Sequence, residues 1–197
     1  MSVVTDPRWQ ALSAGELACS CGERHVGLFP IQMLTPAGWA GSREYQPDDA
    51  MTMEGDFLSA NFSVREGKYF AVRMRLPVPL LGLPAQALTY TVWTALDRPD
   101  FEAYFEAVRT NSQKLNARAP ARLINRIGGY PDTFGLMGAG FQQTDGGGPY
   151  LLLDPKQPDR RDNHPLAIEQ RQGVSLDRIL ELYAAQNHDM RSGRPNA

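Results

Sequence analysis

Cysteine is nearly absent. The 197 residues hold two, Cys19 and Cys21, with a single residue between them. Thiols so close cannot staple a fold, which excludes a disulfide-rich secreted scaffold. A basic surplus is also missing: Lys+Arg number 20 against 22 Asp+Glu, a net charge of -2. General nucleic-acid or membrane-surface binders need a clear positive excess. Long hydrophobic runs do not occur. The most apolar stretch, 76–88, is broken by Pro77, Pro79, Gly82 and Pro84 and is too short to span a bilayer. Residues 1–10 carry Asp6 and Arg8 and no apolar segment, so they do not read as a signal peptide. The expectation is a cytoplasmic protein with reduced thiols and no membrane partner. Internal repeats and low-complexity blocks are lacking, as are the G-x-S-x-G, H-E-x-x-H and EF-hand patterns. The glycines at 146–148 lack the spacing and trailing Lys-Ser/Thr of a phosphate loop.

What is present is a chain able to build a core, 42% hydrophobic, with 18 Gly and 15 Pro. That Gly and Pro content exceeds the usual ~12% and concentrates in 30–47, 77–84 and 128–165, where long connections are expected. Charge is spread evenly, so one α+β domain over 17–186 is expected. An extension with a short helix (1–16) precedes it and a polar tail (187–197) follows.

Asp6-Pro7 is an N-cap followed by a first-turn proline, opening a helix that Gly15 ends. Residues 57–64 and 69–76 flank Arg65-Glu66-Gly67-Lys68, a hairpin signal. In the second of these, Phe70, Val72, Met74 and Leu76 alternate with Ala71, Arg73 and Arg75, giving one buried and one wet face. Pro77 is expected to end it. Strands are further expected at 88–96, 122–127, 134–141 and 150–153. Asp97-Arg98-Pro99 opens a helix striped by Phe101, Tyr104, Phe105 and Val108, which Ala119-Pro120 closes. Ser175 caps a last helix with Leu176, Ile179, Leu180 and Tyr183 on one face. The pattern predicts an α+β fold: an antiparallel sheet of about five or six strands built from hairpins, two main helices packed on it, and long loops.

Four groups of residues are candidates for chemistry. Cys19, Cys21 and His25 share one turn and supply three of the four ligands of tetrahedral zinc, with His164 or water as the fourth. The single-residue spacing of the thiols is tighter than the usual two to four. A redox pair and a plain turn with small, partly buried thiols are the other readings of the same residues. His164 and Glu169 form a possible proton-transfer pair, against the plainer reading of a loop-fixing histidine. Arg109, Lys114, Arg118, Arg122 and Arg126 make a run without acids, readable as helix C-terminal complementation or as an anion or nucleic-acid contact. Tyr130 and Asp132, with Trp93 and Arg73, are candidate cleft residues, and Gln170 belongs with the His164 segment.

Several segments resemble, in order, the bacterial family designated domain of unknown function 2199. They are Cys21-Gly-Glu-Arg-His25, Tyr69-Phe-Ala-Val-Arg73, Val92-Trp-Thr-Ala-Leu96, Ile127-Gly-Gly-Tyr-Pro-Asp-Thr133 and His164-Pro-Leu-Ala-Ile-Glu-Gln170. The resemblance implies a single soluble bacterial domain with no assigned activity. Members tend to carry C-x-x-C-G, whereas Ala18 stands at the first of those positions here. They also tend to carry a cysteine where Leu58 stands, two residues after Asp56. On that comparison the resemblance argues against zinc. The functional expectation is a non-enzymatic binding or protein-interaction domain for a protein or small molecule. A metal-dependent or hydrolytic enzyme using the Cys/His cluster, and a nucleic-acid contact through 109–126, are the alternatives.

Overall fold

A computed structural model describes residues 2–110, 118–141, 148–157 and 163–190. Among these residues lie eight strands in one mixed, mostly antiparallel sheet, and four α-helices. The chain opens with helix α1 (Pro7–Ala14), then short strands β1 (Ile31–Gln32) and β2 (Phe57–Leu58), then β3 (Phe62–Arg65). The long pair β4 (Tyr69–Leu80) and β5 (Leu83–Leu96) follows, then α2 (Arg98–Arg109) and strands β6 (Ala119–Leu123), β7 (Met137–Phe141) and β8 (Tyr150–Leu153). Helices α3 (Pro165–Gln172) and α4 (Leu176–Ala184) complete it. The α+β class is as expected. The sheet has more strands than the five or six predicted, and it includes two parallel pairings, β1 with β5 and β8 with β4.

The β4–β5 hairpin organises the sheet. Phe70, Val72, Met74, Leu76, Val78 and Leu80 are buried on one face of β4, as their alternation predicts. Strand β4 does not stop at Pro77. The odd-numbered N–H groups before it point away from β5: Arg73 N–H donates to Asn61 and Arg75 N–H to Pro149. Pro77 and Pro79 continue that phase, so their missing donors fall on the side away from β5 and cost the hairpin nothing. Strands β5, β6, β7 and β8 pair in succession and β8 returns to β4, so these five close into a ring. Such closure leaves fewer exposed edges.

The main core gathers the inward face of β4 and β5 with Leu12 of α1, Phe101 of α2, Leu166 of α3, and Ile179, Leu180, Leu182 and Tyr183 of α4. Each such side chain stabilises by about 1.5–3 kcal/mol when fully buried. A smaller cluster sits on the opposite face, where Trp93, Leu58 and Ala71 are covered by Met33, Trp39 and Ile124.

The helices follow their caps. Asp6, Asp97 and Ser175 accept from the backbone N–H of Arg8, Asp100 and Arg178. Helix α2 ends at Arg109, well before the expected Ala119-Pro120, which instead begins β6. Helix α3 was not anticipated: His164 is its N-cap, Pro165 its first residue and Gly173 its exit. Residues 187–190, read from the sequence as the start of a polar tail, dock on the domain. Met190 is buried, and Ser20 N–H donates to the Asp189 carbonyl.

Strands β7 and β8 approach unusually closely at Gly138, where an added Cβ would press on the Leu152 carbonyl and lie 2.9 Å from Leu153 Cα. Both neighbours are backbone and cannot rotate aside. Gly138→Ala is therefore expected to destabilise the fold by about 2 kcal/mol, read as a melting temperature lower by roughly 4–8 °C. An unchanged thermal midpoint would refute this account of the strand pair.

Candidate metal centre

The turn after α1 brings Cys19, Cys21 and His25 together, and the end of α4 adds His188. The four donor atoms all lie within 4.8 Å of one another. Cys21 Sγ is 3.2 Å from Cys19 Sγ and 3.1 Å from His25 Nε2, and Cys19 Sγ is 3.6 Å from His188 Nδ1. With Zn–S near 2.3 Å and Zn–N near 2.0 Å, the edges of a tetrahedral site are about 3.3–3.8 Å. These three separations, 3.1–3.6 Å, lie near that range, and the other three are within 4.8 Å.

Local structure explains the convergence. Gly22 adopts a left-handed backbone (φ 81) and its N–H donates to the Cys19 carbonyl, folding the thiols onto one side of a tight turn. Asn187, also left-handed (φ 65), turns the chain at the end of α4. His188 N–H then donates to the Tyr183 carbonyl. Ser20, between the two cysteines, stitches the segments: its hydroxyl donates to Asn187 O and accepts from Asp189 N–H. The imidazoles are held by rings. His25 stacks on Phe29 at 3.8 Å, Phe29 stacks on Tyr183 at 4.2 Å, and His188 meets His25 edge-on at 5.2 Å. Tyr183 fixes Phe29 further, donating to its carbonyl and accepting from its N–H, both at 2.8 Å.

Burial, reinforced by the neighbouring His188, lowers the pKa of His25 and favours the neutral ring that ligates metals. Burial raises the Cys19 thiol. Both cysteines are free thiols. The donor set of two sulfurs and two imidazole nitrogens is that of tetrahedral zinc sites.

The fourth donor differs from the one expected. His164 is buried elsewhere, where its Nδ1 accepts the Leu166 N–H as the cap of α3. Nor does Glu169 approach the thiols: its carboxylate accepts from the Tyr130 hydroxyl at 2.5 Å and from Arg178 Nε at 3.0 Å, with the Arg178 guanidinium over the Tyr130 ring. That cluster ties the 127–133 loop to α3 and α4. Burial first, then the neighbouring Tyr90 and the hydrogen-bonded Glu169 carboxylate, pushes the Tyr130 hydroxyl far above its ordinary range.

Of the expected cleft residues the structure brings together Arg73 and Trp93, which lie opposite each other across β4 and β5. Trp93 is fully buried on the second face and donates to the Met33 carbonyl. Arg73 on that face donates to Gln32 Oε1. Asp132 pairs with Arg126 at 3.2 Å. Of the basic run, Arg109 pairs with Glu106 and Arg118 with Asp154, and Lys114 lies outside the described residues. His188 was missed because 169 positions separate it from Cys19 and it follows the last helix in a stretch that reads as polar tail. One signal was available: the chain has only 3 histidines.

The fold and the cluster together define an α+β protein carrying a four-donor Cys/His group able to hold a metal ion. The chain belongs to a family described as uncharacterized proteins conserved in bacteria (DUF2199), whose pattern matches residues 18–174. The resemblance read from the sequence is thereby borne out. No curated protein and no solved structure matches the chain. No helix among the described residues is long and apolar enough to cross a membrane.

Gln170 acts as a substitute strand. Its Oε1 accepts from Leu153 N–H at 2.9 Å and its Nε2 donates to the Leu151 carbonyl at 2.7 Å, satisfying two backbone groups of β8. Gln170→Ala is expected to cost about 2–4 kcal/mol, because both groups are orphaned in a buried setting. Urea denaturation measures it; a loss below ~1 kcal/mol would contradict the assigned role.

Proposed function

We propose that this chain is a non-enzymatic binding domain whose fold is fastened by zinc at Cys19, Cys21, His25 and His188. The supporting observation is the mutual approach of four protein donor atoms within 4.8 Å. Four protein ligands complete a tetrahedron and leave no position for water or substrate, which is the mark of structural rather than catalytic zinc. The ring stack around both imidazoles supports the same role, since it orients ligands independently of any substrate. Glu169, the carboxylate expected to pair with His164, is engaged by Tyr130 and Arg178 and stays away from the cluster.

The departures from the family pattern do not weigh against this reading. Ala18 removes one sulfur of C-x-x-C, and Cys19 supplies another one residue later. Leu58 is buried in the small cluster on the second face, packed with Trp93 rather than facing the thiols.

Metal here joins residues 169 apart. In a chain-entropy estimate a cross-link of that span restricts the unfolded chain by up to about 5 kcal/mol. The untagged protein is expected to carry about one zinc per chain by elemental analysis, and cobalt substitution is expected to give the visible spectrum of a tetrahedral site with two thiolates. Chelation is expected to lower the melting temperature by roughly 5–15 °C. His188→Ala is expected to lose metal, and His164→Ala to retain it. A metal-free protein, or a metal with an exchangeable water ligand and turnover, overturns the proposal.

A further inference from the structure

We infer that a trough on the second face of the sheet is a binding site for a small organic anion with a flat apolar body, such as an aromatic carboxylate. This deepens the reading of the chain as a binding domain, and it does not depend on the metal.

The trough follows from strand register. Ser63 lies opposite Ala71, Ala71 opposite Ala95, and Ala95 opposite Arg122, so one row across β3, β4, β5 and β6 is built from three small side chains and ends on an arginine. Two positions along the strands on one side, Arg73 lies opposite Trp93; on the other, Arg65 lies opposite Tyr69. Side chains two apart share a face, about 7 Å from row to row. A row of Ser-Ala-Ala between rows of large side chains is a groove by construction. Trp39 and Ile124, which pack on Trp93, border it, together with Tyr69 and Phe134. The resulting cavity is about 310 Å³, at the lower end of the size of small-ligand sites.

The polar lining is one-sided. Arg65, Lys68 and Arg122 line the cavity and no carboxylate does. Neither Lys68 nor Arg122 makes an ion pair among the described residues. Arg65 is held over the Tyr69 ring at 4.5 Å, its nearest carboxylate oxygen is 4.0 Å away, and its Nε is buried without a hydrogen-bond acceptor. The rest of the Arg65 side chain is partly exposed, and a guanidinium fork matches a ligand carboxylate. The aromatic walls select the rest of the ligand: a flat ring slides between Trp39 and Tyr69 over a floor of methyl groups.

The probe is 1-naphthoate, with the neutral 1-naphthalenemethanol as its counterpart, titrated into the full chain by calorimetry and by tryptophan fluorescence. Saturable one-to-one binding of the naphthoate is expected, with the alcohol weaker by about tenfold, the worth of one charge-assisted contact. Arg122→Gln alters an exposed side chain and is expected to weaken naphthoate binding about tenfold at an unchanged melting temperature. Ala95→Leu fills the trough and is expected to abolish binding. Absence of saturable naphthoate binding, equal affinity for acid and alcohol, or unchanged affinity in Arg122→Gln each overturn the site. A dimer that Arg122→Glu dissociates, without naphthoate binding, also overturns it and assigns the face to a second copy of the chain. Any of these failures removes the trough alone. The binding-domain reading falls on a separate result, turnover at an open metal position.

Discussion

The β4–β5 ladder is the constraint on which the other elements depend. Every sheet neighbour of consequence is attached to it: β1 and β6 to β5, β3 and β8 to β4. Its alternation decides which residues form the main core and which form the second face. A slip of one residue would exchange Leu76 and Val92 for Arg75 and Trp93 on the core side. The same register sets the small-residue row on the second face, so the groove is a by-product of the ladder that also builds the core.

Much of this was legible. The period-two alternation of 70–76, the capping signals at Asp6, Asp97 and Ser175, and the stripe of α4 all appear in the structure because each is a local effect. What escaped was non-local. Pro77 and Pro79 read as strand breakers, since sequence alone does not reveal which edge of a strand their nitrogens face. Helix α3 was hidden because the His-Pro-Leu segment drew attention as possible chemistry, while Pro165 and Gly173 were carrying the ordinary start and stop signals of a short helix. Three of the four donors of the candidate centre were visible in one turn. The fourth required knowing that the end of α4 returns to the start of the domain.

The family segments acquire physical meaning from the fold. Gly128 packs so tightly that an added Cβ would lie 2.7 Å from the Ala185 carbonyl, and Tyr130 nearby holds Glu169. Thr133 accepts from Ile127 N–H and donates to Asn125 O, closing the same loop. Asn125 in turn accepts from Trp93 N–H at 2.6 Å and donates to the Thr35 carbonyl. These side chains replace ladder partners where the strands run out. Their chemistry is that of satisfying buried backbone: Gln170 reads as a binding residue and His164 as a possible catalytic one in the sequence, and both are engaged with the main chain in the structure.

The meeting of Cys19 with His188 also has a temporal side. During synthesis the thiols and His25 leave the ribosome early and His188 leaves more than a hundred and sixty residues later. Until then the turn offers at most three donors, a set that binds metal less tightly and exchanges it more readily than four. Assembly of all four donors therefore waits for the last described residues of the chain, and any metal they hold ties the turn after α1 to the segment beyond α4.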